Sequence, residues 1–164
     1  MNTLPKYEYL IHLEIYDQLI KDINYHQSGI YKLRCFTDDY KSYQETSRLL
    51  KPDPDGVLYI GSARKCLIQR ILLLRTSLCA AANNYREFTN IGAHQCGKKY
   101  SSAIQAKFPF INLCVTIYPL TDGYTGDAED LEVTELRKYE AEFGDLPPLN
   151  DVHPKARWRV HEPI

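Results

Sequence analysis

Five residues whose types suit phosphate chemistry recur along this chain in a fixed order. Tyr31 closes the tripeptide Gly29-Ile30-Tyr31 and Tyr59 opens Tyr59-Ile60-Gly61, each at the edge of an apolar, strand-like run. Arg70 follows, three residues after Leu67, on a helix that opens just past the second tripeptide. Glu132 stands inside a later helical pattern, and Asn150 comes after the turn at Pro147-Pro148. A guanidinium presents a planar fork that matches phosphate oxygens. A carboxylate can hold a magnesium ion that keeps most of its waters. A phenol, with an ordinary pKa of ~10, is a base only where neighbours stabilise its anion. Phosphodiester cleavage needs an activated nucleophile, neutralised charge on the phosphorane, help at the leaving oxygen, and positioning. The chain offers a candidate for each. Each also has a plainer reading: with thirteen tyrosines in the chain, most tile strands, and Glu132 sits among acids that suit a solvated helix.

The elements that must position these residues can be read from periodicity and turn signals. Leu10, Leu13, Tyr16, Leu19, Ile20 and Ile23 fall near helical spacing, which predicts one or two N-terminal helices ending in the polar stretch 24–28. Alternation over Gly29 to Phe36 predicts a strand with Tyr31, Leu33 and Cys35 on one face. A turn-rich connector runs from Thr37 to Gly56, with room for a short helix around Tyr43 to Leu50. Val57 to Ile60 is a second strand, and Leu67 to Cys79 a helix apolar on most sides. A helix over Ala80 to Phe88, another near Ser102 to Lys107, and a third strand over Ile111 to Tyr118 follow. Asp127 opens a helix that Gly144 stops. The expected fold is therefore α/β in the α+β sense: a small three-stranded, mostly antiparallel sheet flanked by helices. Residues 1–28 read as a helical extension, 29–150 as the main domain and 151–164 as a tail, whose Trp158 lies between arginines.

At 164 residues one domain is the simplest reading. No apolar run reaches the about 18 residues that a membrane span needs. Five widely spaced cysteines and no charged-then-apolar leader pattern point to reduced thiols in a cytoplasmic protein. Net charge is −1, but its distribution is uneven. From Ser62 to Lys107, Arg64, Lys65, Arg70, Arg75, Arg86, Lys98, Lys99 and Lys107 face Glu87 alone, whereas acids dominate Asp127 to Asp145. Such segregation can present a cationic face to phosphates in a nearly neutral protein; two solvated helix faces would give the same pattern.

The two tripeptides, the arginine on the following helix, the helical glutamate and the terminal asparagine together resemble the GIY-YIG nuclease family. The resemblance covers roughly Gly29 to Asn150. It implies a nuclease that cuts DNA with one divalent ion, Mg2+ or Mn2+. Tyr31 would act as base or water-orienting group, Tyr59 would help hold the nucleophile, Arg70 would contact the scissile phosphate, and Asn150 would buttress the site loop. Glu132 would hold the metal, with Leu136 one turn later. Glu135 competes, but its residue one turn on is Tyr139. His94 is similar to a second-tier family histidine; with Cys96 it also hints at zinc, but no second pair stands at ligand spacing. Gly29, Gly61, Arg64, Lys65, Arg75, Lys98 and Lys99 are the expected substrate contacts. Two departures stand out. Leu74 replaces a histidine that some members carry one turn after the arginine, and the step from Gly61 to Arg70 is one residue longer than usual. They motivate the alternative of a catalytically attenuated nucleic-acid-binding or interaction module on the same fold. Specific recognition by so compact a chain calls for a homodimer or for the 37–56 loop.

Overall fold

The structure is a computed structural model describing residues 4–85, 94–121 and 126–151. The C-terminal tail, Arg86, Gly92 and most of the 123–126 loop lie outside the described residues. The architecture is α+β. A four-stranded antiparallel sheet is built from β1 (Tyr7–Leu10), β2 (Gly29–Cys35), β3 (Val57–Ala63) and β4 (Leu113–Pro119) in the order β1-β4-β2-β3. The helices are α1 (Tyr16–Asp22), α2 (Leu67–Ala82), α3 (Gln95–Lys99), α4 (Ser102–Lys107) and α5 (Ala128–Phe143).

The fourth strand corrects the three-stranded expectation. Tyr7–Leu10 pairs with β4 residue for residue, from Tyr7 opposite Ile117 to Leu10 opposite Cys114. Only Tyr16–Asp22 of the expected N-terminal helical extension is helical. Its apolar residues Ile11, Ile15, Leu19 and Ile23 are all buried in the main core. The helical spacing was real but served a strand, a turn and one short helix in succession. The helix expected around Tyr43 to Leu50 is also absent. That stretch instead makes single antiparallel bridges, Phe36 with Tyr43 and Thr46 with Asp53. Asp53 anchors it, accepting the Asp55 and Val57 amides and the Tyr139 hydroxyl.

Strand alternation divides the core between the two sheet faces. Tyr31, Leu33 and Cys35 face α2, where Leu67, Ile68, Ile71, Leu74 and Leu78 are buried against them. Ile60 and Val57 face the other way, onto Leu136, Tyr139 and Phe143 of α5. Burying each such side chain contributes about 1.5–3 kcal/mol. α5 has defined ends: the Asp127 carboxylate accepts the Glu129 amide, and Gly144 leaves the helix at φ +88°. The two long helices therefore flank opposite faces of the β2–β3 hairpin, with their N-termini brought together at the end of β3.

Candidate functional site

The site is assembled around that junction. β3 ends at Ala63, and α2 starts at Leu67 with Cys66 as its cap. Arg64, Lys65 and Cys66 thus form a non-helical turn that absorbs the long step from Gly61 to Arg70. An open cleft of about 560 Å3 lies there, lined by Ser62, Arg64, Lys65, Arg70, Glu129 and Glu132 among others. The arginine and the carboxylate picked from the sequence share one cavity. Glu132 is placed by register: Ile60 packs with Leu136, so Ser62, two residues along β3, meets the residue one helical turn earlier. The Ser62 hydroxyl donates to the Glu132 carboxylate. Burial raises the Glu132 carboxyl above its ordinary range; Ser62 and Arg70 oppose that rise, while the neighbouring Glu129 adds to it.

Glu135, the competing acid, is committed elsewhere. It pairs with Lys32 at 3.0 Å and Lys138 at 2.9 Å. Burial alone would raise its carboxyl, but hydrogen bonds from Lys138 and Lys32 hold it below the usual range.

Behind the cleft lies a sealed network. Tyr31 is fully buried and Tyr59 is 8% exposed, so neither phenol opens broadly to solvent. His94 Nδ1 accepts the Cys96 amide at 3.2 Å, which leaves the ring proton on Nε2. Nε2 then donates to the Tyr31 hydroxyl oxygen at 2.6 Å, and Arg70 Nε donates to the same oxygen at 3.2 Å. Burial, followed by the nearby charge of Tyr59, pushes the Tyr31 phenol well above its ordinary value, against the pull of Arg70. Tyr59 is pushed up to about 12, chiefly by burial and then by the charge of Glu132, with a hydrogen bond from Tyr31 acting in the opposite sense. His94 is lowered to about 3 by burial and by the Arg70 charge. It is a neutral donor at any ordinary pH. Gly61 makes room for the network, because a Cβ there would stand 2.6 Å from the Tyr31 hydroxyl oxygen.

Asn150 lies along the free edge of β3. Its side-chain oxygen accepts the Ile60 amide at 3.0 Å, and its side-chain nitrogen donates to the Ile60 carbonyl at 2.9 Å. One side chain thus pairs both backbone groups of a strand residue that no further strand covers.

The expected substrate contacts divide. Arg64 and Lys65 line the cleft, but Arg64 also bridges to Glu129 at 2.6 Å and Asp127 at 3.3 Å. Lys98 is exposed on α3. Lys99 instead holds the Asn150 loop, donating to the Leu149 carbonyl and pairing with Asp151 at 2.5 Å. Arg75 pins the N-terminal segment through the Ile11 and Leu13 carbonyls. Gly29 is buried in β2 against the Tyr118 carbonyl and serves packing. Ser62 and Glu129 were not picked as site residues from the sequence. Ser62 could have been found from its alternation with Ile60 and its place beside the second tripeptide. Among the described residues no three His, Cys, Asp or Glu side chains gather as a metal-binding set. Set against known proteins, the chain matches no family model, no curated protein and no solved structure.

Proposed function

We propose that this chain is a metal-dependent endonuclease of the GIY-YIG type that hydrolyses phosphodiester bonds in DNA at the Arg70–Glu132 cleft. The observation that carries the reading is the meeting of Arg70 and Glu132 in one cavity, with Tyr31 and His94 bonded in sequence behind the arginine. The donor set fits Mg2+ or Mn2+, since one protein carboxylate suffices for an ion that keeps most of its waters. Glu132 would hold the ion. When bound, it supplies Lewis acidity toward the phosphate and acidifies a coordinated water. Arg70 orients and neutralises the phosphate, its Nε fixed by the Tyr31 oxygen so that the rest of its fork faces the cleft. Tyr31 and His94 are positioning residues in this scheme. Ser62 holds the Glu132 carboxylate, and Asn150 stiffens the strand that carries Tyr59 and Ser62.

A second reading, a binding module without cleavage, is favoured by one observation. Arg64 is already neutralised by Asp127 and Glu129, which leaves the cleft charge-balanced rather than cationic. Supercoiled plasmid incubated with Mg2+, Mn2+ or EDTA distinguishes the two. The nuclease reading expects nicking or linearisation that EDTA abolishes and that falls by at least about 10²-fold in Glu132→Gln. DNA binding that persists unchanged in EDTA, with no product over long incubation, favours the module.

A further inference from the structure

The Arg70–Glu132 cleft has two unlike walls. On the α5 side stand Glu129 and Glu132. On the α2 side Cys66, Gln69, Arg70 and Leu73 recur three and four apart, so they share one helix face, and none is acidic. Lys65 lies in the turn before that face. It is exposed and makes no ion pair with another described residue, whereas Arg64 is held by Asp127 and Glu129. A nucleic-acid strand in the cleft is therefore drawn to the α2 wall. The side chain that borders this wall, through Gln69, is Tyr25.

A single exposed aromatic is ordinary on a protein surface. Tyr25, 46% exposed, differs in being held in place. Gln69 Nε2 donates to its hydroxyl oxygen at 2.6 Å, and its ring meets the His26 ring in a T-shaped contact at 5.2 Å. The turn that carries it is braced as well. The Gln27 amide donates to the Asn24 carbonyl at 3.0 Å, and the Gln27 side chain donates to the Leu120 carbonyl at 2.8 Å. The Gln27 carbonyl accepts the Leu67 amide at 2.9 Å, which ties the turn to the start of α2. His26 can cover one face of the Tyr25 ring at most. An aromatic face thus stands beside the cleft with little freedom left to lose on binding. Such a face suits any unstacked base, because every base has a π-face of its own.

We propose that Tyr25 is a base-stacking residue, which receives the nucleobase next to the phosphate that Arg70 contacts. This rests on reading the cleft as a DNA site and names the group that grips an unstacked base there. The test follows a labelled single-stranded deoxythymidine dodecamer by fluorescence anisotropy in EDTA, where metal-dependent cleavage is silent. Wild type, Tyr25→Ala and Tyr25→Phe are compared, and a second probe is the same sugar–phosphate chain without bases. Tyr25→Ala is expected to bind the thymidine oligomer about 10-fold more weakly, and Tyr25→Phe within about 2-fold of wild type. All three proteins should bind the base-free chain alike, which a tyrosine that merely braces Gln69 would not produce. Equal affinity of wild type and Tyr25→Ala for the thymidine oligomer overturns the proposal. So does an equal loss on both probes, or no binding of that oligomer by wild type. Plasmid cleavage with Mg2+, assayed separately, reports on the nuclease reading. Cleavage with unchanged Tyr25→Ala affinity removes the stacking role alone, whereas a base-dependent loss without cleavage upholds stacking in a module that only binds.

Discussion

The two sides of the β2–β3 hairpin near its site end are built on opposite principles. On the α2 side, Tyr31 and His94 are sealed, and their polar atoms are consumed by each other, by Arg70 and by the Cys96 amide. On the α5 side, Glu132 lines an open cleft with Ser62 as its hydrogen-bond donor. Arg70 belongs to both: its Nε is held inside and it lines the cleft outside. The difference teaches that the tyrosine most visible in the sequence supports an arginine from within, whereas the groups that line the open cleft stand one layer outward. A fully buried phenol whose proton affinity is raised cannot take a proton from bulk water. It can fix an arginine, because its oxygen accepts two N–H donors at once.

The sharpest way to break this division of labour is Tyr31→Phe. It keeps the ring packing but leaves the His94 Nε2–H and Arg70 Nε–H donors without their shared acceptor. The expected cost is about 1–3 kcal/mol of stability, measured by denaturant unfolding. Cleavage should fall about 10²-fold, with KM for DNA rising because Arg70 loses its fixed orientation. Unchanged stability and KM would mean that the inner network does not hold the outer one.

A smaller effect is expected at the far edge of β3. Asn150→Ala deletes both side-chain bonds to the Ile60 backbone and should cost about 1–2 kcal/mol. Amide exchange at Ile60 should quicken more than exchange in β4, where strands cover both sides. If exchange rises equally throughout the sheet, Asn150 is a general packing residue and does not hold this edge.

How much of this could be read from the chain follows from where each partner lies. β2, β3, α4 and α5 were legible because alternation, helical period and the stop at Gly144 are local signals. β1 was not, because four residues acquire strand structure only by pairing with β4, which lies far along the chain. The order of Tyr31, Tyr59, Arg70, Glu132 and Asn150 singled these residues out, and the structure brings Arg70 to Tyr31 and places Glu132 in the same cleft as Arg70. What stayed hidden was the state of each group. Arg64 and Lys99 read as free cations, yet their acids come from the start of α5 and from the loop beyond it. The choice between Glu132 and Glu135 rests on which face of α5 meets Ser62 and which meets Lys32. The hydrogen bond that turns Glu132 toward the cleft joins residues seventy positions apart.

The smallest predicted effect concerns the outer region and has an unusual sign. Glu132 has a folded pKa above its unfolded value, so its contribution to stability is full below the unfolded pKa and is lost as pH rises through the folded one. Above that folded pKa the ionised carboxylate therefore costs the fold stability. Glu132→Gln is expected to raise the melting temperature slightly at pH 7 and to flatten this part of the stability profile, while removing activity. His94, lowered to about 3 in the folded protein, costs stability as pH falls below its unfolded value, but it does so in both proteins and drops out of their difference. A lower melting temperature in Glu132→Gln would show that the carboxylate is a structural partner of Ser62 and Arg70 instead.

The central claim is that Glu132 is the group through which the cleft takes a divalent ion. It is tested most directly by titrating Mn2+ into wild-type and Glu132→Gln protein and following the free-ion signal by electron paramagnetic resonance. The account predicts one saturable site in the wild type that is lost in Glu132→Gln and retained in Glu135→Gln. Equal Mn2+ binding by wild type and Glu132→Gln would contradict it.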